Sequence, residues 1–276
     1  MKLEAGQVAV VTGGASGIGF ALAHQFAQRG LQVVIADVEE PALELAVDQL
    51  GGDDSVLGVP TDVSDLEQVQ ALADRTLERF GRVDVICNNA GVFAAVAPMW
   101  ELDRADWVWT LQVNLWGVIN GITTFVPLLV ERGEGHVLNT SSMAGIATVP
   151  FLGPYTATKH AVVGLSESLA AELRRAAPSV GVTVICPGQV DTRIGSAGRN
   201  RPADLLRPGQ SPAPPADPAA PQQAAGDSLL SPEQVAGDAI AGIEAGRLHV
   251  MTAPGGETMV RRRVDQLLGD ITTDPT

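Results

Sequence analysis

Short runs of β-branched and apolar residues alternate along the chain with longer stretches in which Ala, Leu, Val and Phe recur at helical spacing. The first run, QVAVV from Gln7 to Val11, stops at glycines, and an Ala/Leu/Phe pattern over Ile18–Arg29 follows it. That pair predicts a strand, a tight turn and a helix. Further strands are predicted over Gln32–Ala36, Ser55–Val59, Val83–Cys87, His136–Thr140, Val182–Cys186 and Leu248–Met251. Helices are predicted over Pro41–Leu50, Leu66–Phe80, Asp106–Glu131, Tyr155–Ala176 and Pro232–Ala245. Strands alternating with helices make parallel βαβ units with right-handed crossovers. The expected fold is α/β: a doubly wound seven-stranded parallel sheet in three layers, α/β/α, forming a single domain over residues 1–276. Ligands of such sheets lie beyond the C-terminal ends of the strands, where the strand order switches.

One segment breaks the alternation. Pro202 to Ala225 is dense in Pro, Ala, Gly and Gln without periodicity, and a loop of this length inside a compact domain is a functional lid or a disordered insertion. We expect a mobile loop over about 193–230 beside the substrate. The tail from Pro254, with Arg261, Arg262 and Arg263, reads as a surface helix. Trp100, Trp107, Trp109 and Trp116, in the stretch Met99 to Trp116, read as helix packing rather than as a substrate cage.

Composition narrows the function classes. With 45% hydrophobic and 18% charged residues the chain has material for a core covered on both sides. A net charge of −14 opposes binding to nucleic acid or to an anionic membrane, both of which need a positive field. Cys87 and Cys186 lie in apolar strand-like runs, which fits a reducing compartment rather than a disulfide scaffold. Without an apolar N-terminal leader or a run of 18 uncharged apolar residues, the expectation is a cytoplasmic protein. No metal-ligand cluster stands out.

The candidate chemistry falls at strand ends. In TGGASGIG, from Thr12 to Gly19, the glycines Gly13, Gly14, Gly17 and Gly19 sit between a strand and a helix, and Ser16 and Ile18 lie in the same turn. Glycines there permit close approach of a pyrophosphate, and the helix that follows offers free N–H groups and its positive dipole end. Asp37, at the end of the second strand, is placed to accept hydrogen bonds from an adenosine ribose and would repel a 2′-phosphate. No Arg or Lys occurs between Gly13 and His24 or over Ala36–Glu40, so the cofactor expected is NAD rather than NADP. Asp62-Val63 and Asn88-Asn89-Ala90-Gly91 also fall at strand ends.

Tyr155 and Lys159 are one helical turn apart, on one helix face. A phenol with an ordinary pKa of about 10 is a poor proton donor near neutrality unless a cation stabilises its anion, and Lys159 supplies that cation. Ser142 precedes the tyrosine by thirteen positions.

In this order TGGASGIG, Asp37, Asp62-Val63, NNAG, Asn114, Ser142, Tyr155-x-x-x-Lys159 and PGxVxT from Pro187 to Thr192 resemble the short-chain dehydrogenase/reductase family over roughly Gln7–Met251. The resemblance implies a Rossmann-type fold and a catalytic tetrad of Asn114, Ser142, Tyr155 and Lys159. It implies cofactor contacts from Gly13, Ser16, Gly17, Ile18, Gly19, Asp37, Asp62, Val63, Asn89, Ala90, Gly91, Tyr155, Lys159, Pro187, Gly188, Val190 and Thr192. Of the two serines in NTSS the family interval selects Ser142 and leaves Ser141 structural. Tyr155 would exchange a proton with the substrate oxygen, Ser142 would hold that oxygen, Lys159 would bind the nicotinamide ribose and lower the tyrosine pKa, and Asn114 would anchor a proton-relay water.

Phe93, Met143, Ala144, Phe151, Leu152 and Gln189 are expected at the substrate, and their mostly apolar character favours a neutral secondary alcohol or ketone. A lyase or epimerase on the same fold, and a non-catalytic nicotinamide sensor, are the alternative readings. The resemblance further implies a homotetramer, or a homodimer, joined through the helices Asp106–Glu131 and Tyr155–Ala176.

Overall fold

A computed structural model of the chain describes residues 1–52, 54–206, 209 and 229–271. Seven strands, β1 (Val8–Thr12), β2 (Gln32–Asp37), β3 (Val56–Pro60), β4 (Val85–Asn88), β5 (Gly135–Thr140), β6 (Val180–Cys186) and β7 (His249–Met251), fall within two residues of the predicted bounds. They pair in the order β3-β2-β1-β4-β5-β6-β7, all parallel. The order switches between β1 and β4, where Val10 lies opposite Ile86.

The helices are α1 (Gly17–Gln28), α2 (Glu40–Gln49), α3 (Leu66–Phe80), α4 (Arg104–Leu111), α5 (Gly117–Arg132), α6 (Gly153–Ala176), α7 (Pro232–Glu244) and α8 (Gly256–Gly269). Alternation along β1 distributes them. Ala9 and Val11 face Leu22 and Phe26 of α1 and Val235 and Ile240 of α7. Val8 and Val10 face the opposite layer, with Leu72 of α3, Phe125 and Leu129 of α5, and Leu169 of α6. Because both faces are covered, the strand sequence is a continuous apolar run rather than an alternating one.

The single helix predicted over Asp106–Glu131 is instead three segments, in which a π-helical turn, Gln112–Trp116, joins α4 to α5. Such a turn reorients side chains locally and recurs at functional sites; here it holds Asn114, which is fully buried. Glycines set how closely α5 approaches the sheet edge. A Cβ on Gly117 would lie 2.7 Å from Val63 Cγ2, and one on Gly121 would collide with the Asn88 side-chain oxygen. By length and composition Arg104–Arg132 could cross a membrane, yet its Phe125 and Leu129 lie in the core against the sheet.

The tryptophans depart from expectation. Only Trp109 is buried, whereas Trp100 and Trp116 are exposed, because Trp100 belongs to a short 3-10 turn, Met99–Glu101, outside the helix. The expected mobile loop begins as folded chain: Arg193–Asn200 and Ala203–Leu205 are 3-10 turns. Its centre, 207–228 apart from Gly209, and with it most of the Pro/Ala-rich stretch, lies outside the described residues. The chain rejoins the sheet edge at Leu230, whose carbonyl accepts from Asp191 N at 3.0 Å.

Candidate active site

The C-terminal strand ends surround one cavity of about 970 Å³. At its β1 corner the Thr12 hydroxyl accepts from Asn89 N at 2.9 Å and Ala90 N at 3.1 Å, and Asn89 Nδ2 donates to Thr12 O at 3.0 Å. This stitches the glycine turn to NNAG so tightly that a Cβ on Gly13, at φ +63, would lie 2.9 Å from Ala90 Cα. Gly17, at φ +54, approaches Thr192: its Cβ would lie 3.0 Å from Thr192 Cγ2. Helix α1 starts here with neither a side-chain cap nor an acidic residue in its first turn, whereas α3, α4 and α7 are capped by Asp65, Asp103 and Ser231. Uncapped N–H groups at the positive end of a helix suit a phosphate.

At the next strand end the Asp37 carboxylate accepts from Ala15 N and Glu39 N, both at 3.1 Å. Burial raises its pKa, and those backbone N–H groups oppose the rise. Asp62 accepts from Ser64 N and Oγ at 2.9 and 2.7 Å. The glycine cradle, the uncapped helix and the acid at the β2 end together fit a dinucleotide along this side.

Across the cavity α6 presents Tyr155 and Lys159. The lysine is 3% exposed, donates to Thr140 O at 2.8 Å, and lies 5.5 Å from the Tyr155 ring centroid. Ser142 Oγ accepts from Ala144 N at 3.1 Å, and Phe93 tilts against the tyrosine ring at a centroid distance of 5.3 Å. Ser141 donates its hydroxyl to Lys159 O at 2.8 Å. No group of three or more potential metal ligands occurs among the described residues.

A family model described as short chain dehydrogenase matches residues 7–202. The chain belongs to the short-chain dehydrogenase family. It is 34% identical over 98% of its length to 1-deoxy-11-beta-hydroxypentalenate dehydrogenase of Streptomyces exfoliatus, covering 91% of that protein. It is 38% identical over 72% of its length to 3beta-hydroxysteroid dehydrogenase 2 of Eggerthella lenta, covering 76% of it. Among solved structures, a short-chain dehydrogenase/reductase from Burkholderia phymatum in complex with NAD superimposes with a TM-score of 0.88 at 39% identity, covering 100% of this chain and 99% of that one.

Within this short-chain dehydrogenase every residue expected at the cofactor end lines the cavity except Gly19. Gly19 lies behind the turn, where a Cβ would collide with Gly13 O. Ser142, Tyr155 and Lys159 line the cavity; Asn114 does not. Its side-chain amide is bound to the backbone of Val92, accepting from N at 2.7 Å and donating to O at 3.0 Å. On the substrate side Phe93, Met143, Ala144, Leu152 and Gln189 line the cavity. Phe151 does not: it takes a left-handed φ of 67°, the residue is 55% exposed, and its carbonyl accepts from Ala97 N.

Burial pushes the Tyr155 hydroxyl above its ordinary value, and a side-chain hydrogen bond with Ser142 pulls it back. Burial lowers the lysine itself to about 8, since a desolvated pocket disfavours both charged forms. The thiols of Cys87 and Cys186 are likewise raised by burial and inert.

Trp109, read as helix packing, and Met259 of α8 also reach the cavity, as do Arg193 and Arg199, two of the arginines that could fold in with the loop after PGxVxT. Arg199 grips Glu39 through Nε at 3.1 Å and Nη2 at 2.6 Å, so the stretch after β6 crosses to the β2 end. The only available signal was arginine density directly after PGxVxT, in a stretch read as loop.

Proposed function

We propose that this short-chain dehydrogenase interconverts a neutral, hydrophobic secondary alcohol and its ketone with NAD, using Tyr155 as general acid and base. One observation carries the reading: Tyr155, Ser142 and Lys159 line the same cavity as the glycine turn and Asp37, and Lys159 lies 5.5 Å from the Tyr155 ring centroid. A nicotinamide cofactor bound there supplies or accepts the hydride. Tyr155 gives its proton to the carbonyl oxygen in reduction and takes it back in oxidation. Ser142, oriented through Ala144 N, donates to the same oxygen and stabilises the charge that develops on it. Lys159 stands beneath the tyrosine ring, where its positive form favours the phenolate. Asn114 is a positioning residue that fixes Val92 on the substrate wall.

Asp37 supports NAD over NADP through repulsion of a 2′-phosphate, and the NAD-bound relative from Burkholderia phymatum points the same way. Hydroxypentalenate and hydroxysteroid dehydrogenases among the relatives agree with a bulky alicyclic alcohol, as do the apolar walls formed by Phe93, Val149, Leu152 and Met259. Assembly through α5 and α6 belongs to the same reading, since Trp116 and Val130 stand exposed at the start and end of α5; sedimentation as a monomer would remove it.

The test is absorbance at the nicotinamide band with a panel of alicyclic alcohols and ketones, run with NAD(H) and NADP(H) in parallel. Turnover confined to NAD(H) is expected. Turnover with NADP(H) at equal efficiency would overturn the cofactor assignment, and activity surviving in Tyr155→Phe would overturn the mechanism.

A further inference from the structure

Among the described residues three cations line the cavity: Lys159, Arg193 and Arg199. Two are committed. Lys159 is tied to Thr140 O beneath Tyr155. Every nitrogen of the Arg199 guanidinium is bonded, Nε and Nη2 to Glu39, and Nη1 to Arg193 O, Ser196 O and Ser196 Oγ. Arg193 is different. Its side chain is 15% exposed, its Nη2 is buried without a hydrogen-bond partner, and the carboxylate beside it, Glu39 Oε2, stands 3.9 Å away. A buried guanidinium donor left unpaired is unfavourable, and a built protein tolerates one where a ligand completes it.

Its place in the chain says which ligand. Arg193 follows Thr192, the residue whose methyl packs on Gly17 at the start of α1. It lines the same cavity as Ser16, Gly17 and Ile18 at the uncapped start of that helix, and its Nη2 stands 3.9 Å from Glu39, two residues beyond Asp37. A diphosphate held by the helix N–H groups would share that cavity with the guanidinium. This inference rests on the NAD reading and extends it.

We propose that Arg193 is the cation that pairs the diphosphate of the bound dinucleotide, closing over it from the 3-10 turn Arg193–Asn200, which Arg199 fastens to Glu39. The glycine turn alone would bind the diphosphate through backbone donors without a full charge; Arg193 supplies the charge and a planar fork suited to two phosphate oxygens.

The test is fluorescence titration of NADH and of NADPH into the wild-type chain and the Arg193→Gln and Arg193→Lys variants, at low and high salt, with ligand-free melting of each. For Arg193→Gln the NADH Kd should rise about ten- to a hundredfold, the range of a lost charge-assisted hydrogen bond, with a weaker salt dependence than wild type. Arg193→Lys should recover much of the loss, and ligand-free melting should hardly move. An NADH Kd within twofold of wild type would overturn the assignment. So would a loss confined to NADPH, which would give Arg193 to a 2′-phosphate, or a loss unrelieved by lysine with lowered melting, which would make it a structural strap residue. If the wild-type chain fails to bind NADH at all, the NAD reading itself fails, which is a separate result.

Discussion

At the N-terminal edge of the sheet Asp84 is fully buried and fully bonded, whereas at the C-terminal edge buried Lys159 makes one hydrogen bond and Arg193, with its side chain 15% exposed, has a buried Nη2 without a hydrogen-bond partner. Asp84 accepts from Val8 N at 2.8 Å and from Arg82 Nε at 2.8 Å and Nη2 at 2.5 Å, and Arg132 Nε lies 3.3 Å away. Three strand starts, β1, β4 and β5, converge on it: its own N–H and C=O pair with Val8 and His136. Lys159, by contrast, has one hydrogen bond for three donors. A saturated buried charge holds structure together; an unsaturated one is stable only because the surrounding fold over-determines it, and it is available to a ligand. The same chain thus keeps its structural and its chemical charges at opposite ends of the same strands.

The largest effect that would sharpen this contrast is at the chemical end. Tyr155→Phe should lower kcat by about a thousandfold or more, the upper range for loss of a general acid, while the melting temperature and NADH affinity stay close to wild type. A comparable drop in stability would mean that the hydroxyl is part of the packing after all. Asp84→Ala should do the reverse. Removing the acceptor leaves Val8 N unpaired at a buried point and takes from Arg82 and Arg132 a buried partner, leaving them only Glu134, for a loss of about 3 kcal/mol in urea unfolding, with kcat of the folded fraction unchanged. A variant as stable as wild type would show that the network is ornamental.

How much of this was readable in advance follows the same division. The strands and the residues at their ends were legible because both rest on local signals: apolar runs bounded by glycine, and motifs set at fixed offsets from them; the switch between β1 and β4 is a non-local pairing and was not placed. The π-helical turn at Asn114 was not, because an extra residue in a helical turn leaves the apolar spacing on either side intact. Nor was the crossing of Arg193 and Arg199 to Glu39, the second of these a contact spanning 160 positions. Phe151 was misread for a related reason: its neighbours do line the cavity, but a left-handed backbone turns its ring outward. Sequence neighbours of Asp37 offered no cation; the fold brought two from the 3-10 turn after β6.

Lys159 allows the two kinds of buried charge to be compared within one residue. With its folded pKa lowered from 10.5 to about 8 by burial, the ammonium is charged in both folded and unfolded chains below about pH 8, and its burial penalty is present in full. Between about pH 8 and 10.5 the folded lysine is neutral while the unfolded one keeps its proton, so the unfolded state binds more protons and stability rises with pH. Lys159→Met should therefore melt above wild type at pH 7, inactive, and the gap should close as pH approaches 10. A gap independent of pH would show that the lysine is solvated or paired in solution.

The smallest effect concerns Glu39, where a structural and a ligand-binding charge share one carboxylate. Burial raises its pKa, but hydrogen bonds from Arg199 and Asn200 outweigh burial and leave it lowered from 4.5. Its stabilisation is therefore present above pH 4.5 and is lost as pH falls through the lower folded value. Glu39→Gln keeps an acceptor for the Arg199 fork and removes the charge, so the loss at pH 7 should be about 1 kcal/mol in urea unfolding and should shrink towards zero in acid. The same change removes the carboxylate that competes with a phosphate for Arg193, so NADH should bind about two- to threefold more tightly, a small electrostatic gain. Stability falling while affinity rises is the signature of a charge divided between fold and ligand. If both fall, fastening the turn matters more to binding than freeing Arg193, and Glu39 belongs with Asp84 rather than with the site.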